Sequence, residues 1–405
     1  VTLRLDDGAV FLEAADLTEI SRRRAAFDRI PRQAAQAAGF GLVRQRPRTL
    51  IDDKLLRSMG WSGLEYDAAA CALVTPGAPP DAGDDPAALL FYDTRLLEDV
   101  SLKIELTTKC NFKCGFCYGR HVKQGTVNAT DVYKLIERFA NMRELELTGE
   151  GESLLLPELP DIVAFAAARG IHVRLGTNGS LLTPTLSRRL IESGLKELTV
   201  SLETLDPERF TEIRARGNLK GILNSLSIFI ATKRELGRDV KVSLWMTILK
   251  ESLNQIEDVE ALALSMGLDS VEYQTLNTMD QYSQYYSQEF LRNVLTKKDL
   301  AAFRVEAGPV LRRVIDSLLQ EKSSKRCLAP TEMIRVGWQG HVTPCCNLQT
   351  PYVESLGNLY QQSWLDISKS ERYRLFRFAT LHGVILNPCR SCPAIAAPHF
   401  EFDRA

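Results

Sequence analysis

The sequence predicts an α/β chain built on a partial (β/α)6 barrel, with an N-terminal α/β extension and a small cysteine-bearing domain toward its C-terminal end. Three observations carry this expectation. From Ser101 onward, six short runs rich in apolar and β-branched residues alternate with longer segments of helical period. The passages from each helix to the next strand are short, as in βα units repeated around a parallel sheet. Eight of the nine cysteines fall into two groups, one directly behind the first run and one far downstream.

The elements follow in order. SLKIEL (Ser101 to Leu106) reads as the first strand, and the helical DVYKLIERFA leads to the strand ELELT (Glu144 to Thr148). LPDIVAFAAARG leads to IHVRLGT (Ile171 to Thr177), and TPTLSRRLIESG to LKELTVSLE (Leu195 to Glu203). NLKGILNSLSIFIATKRELG precedes VKVSLWMTIL (Val240 to Leu249), and IEDVEALALSMG precedes SVEYQTL (Ser270 to Leu276). Six units are too few for a closed eight-unit barrel, so a partial barrel is expected. Upstream, TPGAPPDAGDDPA (Thr75 to Ala87) reads as a linker and Leu17 to Ala38 as a helix. The expected domains are residues 1–98, an extension with no chemistry assigned; 99–290, the barrel; and 291–405, the second cysteine domain.

Bulk composition bounds the function. With 405 residues, 45% of them apolar, the chain can bury a large core. Its 50 lysines and arginines against 51 aspartates and glutamates leave a formal charge of -1, which offers no general field for nucleic acid or an anionic membrane. No apolar run approaches the roughly 20 residues needed to span a bilayer, and no signal peptide opens the chain, so a cytoplasmic protein is expected. There, clustered cysteines more often bind metal than form disulfides.

Cys110, Cys114 and Cys117 lie in CNFKCGFCYGR, just after the first strand. Active sites of parallel sheets sit at these C-terminal strand ends. Soft thiolates at close spacing suit zinc or an iron–sulfur cluster, and three rather than four leave one metal position open. The pattern Cys-x3-Cys-x-aromatic-Cys, with Phe116 in the aromatic place and Tyr118 directly after, resembles the signature of the radical S-adenosylmethionine (SAM) superfamily.

That resemblance implies a [4Fe–4S] cluster on the three cysteines, whose open iron takes SAM, and reductive cleavage of SAM to a 5′-deoxyadenosyl radical. TGEGES resembles the family's Gly-Gly-Glu motif for the SAM ammonium, with Gly151 and Glu152 as the match and Glu150 as a competitor. Asn178 in TNGS, Ser201 and Glu203 in SLE, and Arg214 in FTEIR stand where the family contacts SAM. The SAM carboxylate is the contact the resemblance implies for Arg214, and the ribose that for Ser201 and Glu203.

The second group comprises Cys327, Cys345, Cys346, Cys389 and Cys392. Around WQGHVTPCC and SLGNLY it resembles the twitch domain, a shortened SPASM domain, which implies an auxiliary [4Fe–4S] cluster. The implied ligands are Cys327, Cys345, Cys389 and Cys392. Four cysteines would equally close a structural zinc site.

Together these resemblances imply two clusters, SAM as cofactor, and a reducing partner such as flavodoxin or ferredoxin. They are similar to those of dehydrogenases that oxidise aminocyclitols and sugars in antibiotic biosynthesis. The expected activity is therefore that of an oxidoreductase tailoring a sugar-, aminocyclitol- or nucleoside-like molecule. The alternatives are maturation of a ribosomally made peptide and sulfur insertion from the auxiliary cluster. QYSQYYSQEF (Gln281 to Phe290) reads either as a pocket lining or as an aromatic packing surface.

Overall fold

The computed structural model describes residues 100–319, 327–349 and 355–370, single positions between 372 and 392, and the backbone of five short strands at 3–6, 9–12, 65–67, 72–74 and 384–385. The expected helix at 17–38 and linker at 75–87 lie outside the described residues. The chain divides into two compact units, one of which runs from Ser101 to Glu321 and includes 336–339.

That unit contains all six expected strands: β1 (Val100–Ile104, all but its first residue), β2 (Met142–Leu147), β3 (His172–Thr177), β4 (Glu197–Leu202), β5 (Lys241–Ile248) and β6 (Ser270–Thr275). They lie side by side in sequence order, and the pairs β2–β3, β3–β4, β4–β5 and β5–β6 are parallel. Sequential order is that of a barrel wall; a doubly wound sheet would reverse it part-way.

β1 to β4 alternate, β5 is buried beyond its first residue except at Trp245, and the two faces are separate environments. Leu145, Leu147, Val173, Leu175, Leu198, Val200, Leu202, Leu244 and Met246 are at most 1% exposed. They bury against helices α1 (Ala129–Arg138), α2 (Leu159–Ala167), α3 (Pro184–Glu192), α4 (Pro207–Ile213), α5 (Leu219–Glu235) and α6 (Ile256–Met266), which supply Leu135, Ile162, Leu190, Phe210, Phe229 and Val259. Each such side chain contributes about 1.5–3 kcal/mol relative to exposure. The other face is polar. Lys103 pairs with Glu146 at 2.6 Å, and Arg174 with Glu144 at 3.1 Å and Glu197 at 2.9 Å.

Local sequence starts and stops these helices. Thr183 caps α3 ahead of Pro184, and Asp206 caps α4 ahead of Pro207, accepting from the backbone of Glu208 and Arg209. Gly267 ends α6 in the left-handed region at φ 75°. The unit runs on past the expected boundary at residue 290. Helices α7 (Lys297–Glu306) and α8 (Pro309–Leu319) belong to it, tied by ion pairs from Lys250 to Asp299 (2.9 Å) and from Arg313 to Glu260.

The second unit holds the hairpin strands Ile334–Val336 (all but its last residue) and His341–Thr343, with Gly357–Asn358 paired antiparallel to the latter. In the same unit Val384–Ile385 pairs in parallel with Ala9–Leu12, so the N-terminal segment is bound to the C-terminal one. Among the described residues no helix is long and apolar enough to cross a membrane.

Candidate active site

The cysteine loop leaves β1 at the C-terminal edge of the sheet and is held from several sides. Lys113–Cys114 forms a two-residue antiparallel ladder with Arg214–Ala215, and Gly115 N donates to Ile213 O at 3.0 Å. Cys110 is exposed, while Cys114 and Cys117 are half-buried. Burial, opposed by Arg214, pushes the Cys114 thiol up to about 11. Burial, reinforced by Glu150 and Cys114, pushes Cys117 up to about 12. Thiols held neutral in this way give up their protons as metal binds.

The loop after β2 crosses beneath. A Cβ on Gly151 would lie 2.4 Å from the carbonyl oxygens of both Thr107 and Lys109, so only glycine allows this backbone approach. Glu150 N donates to the buried Glu105 carboxylate (3.0 Å), and the Glu150 carboxylate accepts from Tyr118 OH (2.8 Å). Glu152 is 2% exposed and accepts from Thr177 OH (2.7 Å), Asn178 N (2.7 Å) and Leu154 N (3.1 Å). Burial pushes its carboxyl up, against the pull of these donors. Asn178 reaches Cys110 Sγ at 3.8 Å and Asn111 Oδ1 at 2.9 Å, knitting the turn after β3 to the cysteine loop.

Glu203, 1% exposed, holds Arg214 through both carboxylate oxygens, with Nη2 to Oε1 at 2.5 Å. Ser201 is half-buried on the polar face, with Trp245 as its partner on β5.

An aromatic segment covers the cysteine loop. Tyr282 stacks on Tyr118 with ring centroids 4.1 Å apart, Tyr285 stacks on His121 at 4.6 Å, and Phe290 tilts against Phe116 at 5.8 Å. A Cβ on Gly115 would lie 2.2 Å from the Phe290 ring, so the smallest side chain marks where Phe290 seats.

In the second unit Cys345, Cys389 and Cys392 are buried and Cys327 is half-buried. Cys392 N donates to Cys389 O (3.0 Å), Asn347 Nδ2 lies 3.5 Å from Cys392 Sγ, and Cys327 N donates to Thr380 O (2.8 Å). Burial raises the Cys345 thiol, and Cys346 and Cys392 add to it. Among the described residues no three Cys, His, Asp or Glu side chains are gathered as ligands of one metal ion. Thiolates around an iron–sulfur cube are spread over separate irons, and both cysteine groups suit that soft, multi-iron ligation.

Residues 104–263 match the family model of the radical SAM superfamily, and residues 327–393 match that of an iron–sulfur cluster-binding domain, SPASM. The chain belongs to the radical SAM superfamily. Among curated relatives it is similar to the tungsten-containing aldehyde ferredoxin oxidoreductase cofactor-modifying protein of Pyrococcus furiosus, at 23% identity over 72% of this chain and 86% of that protein. It is also similar to the GTP 3′,8-cyclase of Chlorobaculum tepidum, at 31% identity over 47% of this chain and 57% of the cyclase. The chain thus spans little more than half the length of that cyclase.

Two solved radical SAM structures share the fold. SuiB of Streptococcus suis, bound to SAM, aligns with TM-score 0.55 at 17% identity over 69% of this chain and 68% of its own. The structure anSMEcpe, also with SAM bound, aligns with TM-score 0.56 at 16% identity over 73% and 83%.

The radical SAM loop therefore gathers Phe116, Tyr118, Glu150 and Gly151 close to Cys110, Cys114 and Cys117. Glu152 and Asn178 serve as ties between β2, β3 and the loop. Sequence reading missed Glu105 and Trp245, although strand alternation puts Glu105 on the polar face with Lys103, and Trp245 there with Ser243. Near β6, Tyr273 turns to Glu260 on α6 (3.3 Å), Gln274 donates to Thr247 (3.0 Å), and Asn277 accepts from Met279 N (3.1 Å).

Proposed function

We propose that this radical SAM enzyme removes a hydrogen atom from a polar, ring-bearing small molecule of the sugar, aminocyclitol or nucleoside kind, and that the net reaction is an oxidation. Cys110, Cys114 and Cys117 would hold the cluster, and Glu150, braced by Tyr118 and Glu105, would receive the SAM ammonium. When bound, SAM and the reduced cluster supply a 5′-deoxyadenosyl radical, able to abstract an unactivated hydrogen. Cys327, Cys345, Cys389 and Cys392 would hold a second, electron-accepting cluster, and a flavodoxin or ferredoxin would supply the first electron in a reducing cytoplasm.

The observation that carries the substrate class is Trp245. In β5 the residues from Val242 to Ile248 are all buried except Trp245, whose indole stands half-exposed on the polar face of the sheet. Its register partners are Ser201, near the C-terminal end of β4, and Glu272, midway along β6. An aromatic plane flanked by a hydroxyl and a carboxylate fits a ring that offers C–H groups on its face and hydroxyls or amines at its edge. The similarity to GTP cyclases supports the same class, since their substrate joins a sugar to a base.

The test is anaerobic reconstitution, followed by incubation with SAM, dithionite and GTP, UDP-glucose, 2-deoxystreptamine or short peptides. Deoxyadenosine should form, and should carry deuterium from a labelled ring substrate. No deoxyadenosine under any condition would reject the reaction class, and deuterium transfer from peptides alone would move the substrate to peptide maturation.

A further inference from the structure

Arg214 is carried to the cysteine loop by backbone, not by side-chain reach. Its own residue pairs with Cys114 in the two-residue ladder, and Ile213 O accepts from Gly115 N at 3.0 Å. The chain then turns sharply: Gly217 N donates back to Arg214 O at 2.6 Å, and Arg216 between them sits in the left-handed region at φ 77°. A non-glycine residue held there marks a turn whose geometry is imposed by its surroundings. The Arg214 side chain is 7% exposed and commits Nε and Nη2 to the two oxygens of Glu203, itself 1% exposed.

A cation buried this deeply acts on its neighbours with little solvent screening. Those neighbours are Glu203, which it grips, and Cys114, its ladder partner, with Cys110 also within electrostatic reach. The bidentate fork leaves Arg214 less free to act only as the SAM carboxylate ligand that its motif implies, and gives Glu203 a partner other than a ribose.

We propose that Glu203 is a positioning residue whose charge fixes and offsets Arg214, and that the pair sets the reduction potential of the cluster on Cys110, Cys114 and Cys117. This rests on the reading that those cysteines hold a cluster. Reduction adds negative charge at the loop, so the Arg214 cation favours the reduced form and the Glu203 anion opposes it. Because Glu203 pairs directly with Arg214, removing one leaves the charge of the other uncompensated.

The experiment is a redox titration, followed by electron paramagnetic resonance, of anaerobically reconstituted full-length protein without SAM. A C327A/C345A background keeps the second cysteine group from contributing a signal. Glu203→Gln should shift the potential upward, Arg214→Gln should shift it downward, and the double variant should return toward the parent. Opposite signs are a result that general loosening of the fold does not produce. Arg214→Lys keeps the charge but not the fork, so its potential should stay nearer the parent than that of Arg214→Gln.

Shifts of the same sign in both single variants, or no shift in either, would overturn the proposal. If Arg214→Gln retains too little iron to titrate, Glu203→Gln and Arg214→Lys still decide: an unchanged potential in the first, or a large downward shift in the second, overturns it. A parent protein with no iron–sulfur signal would instead reject the cluster assignment beneath it.

Discussion

Tyr282 lies stacked on Tyr118, ring centroids 4.1 Å apart and planes 23° from parallel, while the Tyr118 hydroxyl donates to Glu150. One aromatic contact thus couples the segment after β6 to the residue that follows Cys117 and to the loop after β2. With Phe290 seated against Gly115, the 280–292 segment braces both ends of the Cys114–Tyr118 stretch.

Removing that ring should loosen the loop. Tyr282 is 1% exposed, so Tyr282→Ala should cost about 3–5 kcal/mol of stability by burial and cavity terms, of which about 0.5–1.5 kcal/mol is the stacking itself. Tyr282→Phe keeps the stack and should cost under about 1.5 kcal/mol, as a nearly volume-conserving change. Urea unfolding gives the stabilities, and iron release to a chelator reports the loop. Iron release at the parent rate in Tyr282→Ala would mean that the segment does not brace the cluster loop.

The two adjacent cysteines should separate in the same kind of assay. Cys345 is buried and near Cys392, whereas Cys346 is half-buried. Cys345→Ser should lose roughly half of the bound iron and sulfide, since a hard hydroxyl replaces one soft ligand of one of two clusters. Cys346→Ser should keep the full complement. The reverse order would assign the ligand to Cys346, and equal losses would reject any difference in role between the two.

Much of this arrangement was legible in the sequence because it follows from local pattern. The six strands are β-branched runs closed by turns, and strand alternation places Glu144, Arg174, Glu197 and Ser201 on one face. What was not legible depends on loops meeting in space. No spacing rule pairs Glu203 with Arg214 across a helix, or brings Arg214 to Cys114 by backbone. The aromatic spacing of 282, 285, 286 and 290 announced a packing surface but not its partner, which is the cysteine loop. Helices α7 and α8 look separable by sequence distance, yet ion pairs from Lys250 and Glu260 draw them onto the sheet unit.

Trp245 should govern substrate and leave SAM largely alone. Trp245→Ala should raise the KM for a ring substrate by about tenfold or more, on the scale of one aromatic stacking contact of about 1–3 kcal/mol. Trp245→Phe should recover most of the loss. Deoxyadenosine formed from SAM and dithionite without substrate should change by less than about threefold, a difference under about 0.7 kcal/mol. A parallel fall in substrate-free SAM cleavage would place the indole against SAM instead.

The two glutamates of TGEGES should fail in different ways, because their carboxylates do different work. Glu152 Oε2 accepts the Asn178 N–H while Oε1 accepts from Thr177 and Leu154. Glutamine there must point an amide N–H at one of these donors, leaving buried donors unmatched. Glu152→Gln should therefore cost about 1–3 kcal/mol of stability. Glu150, half-buried beside Cys117 and Tyr118, keeps its Tyr118 bond in Glu150→Gln but loses the charge that a SAM ammonium would meet. That variant should cost no more than about 1 kcal/mol of stability, since the amide oxygen can still accept from Tyr118 and the backbone N–H still donates to Glu105. Its affinity for SAM should drop about tenfold, the scale of one lost charge-assisted bond. Urea unfolding and equilibrium dialysis with SAM measure the two effects separately. If Glu152→Gln unfolds like the parent yet fails to bind SAM, the ammonium contact belongs to Glu152 and the bracing of Glu150 by Tyr118 and Glu105 needs another purpose.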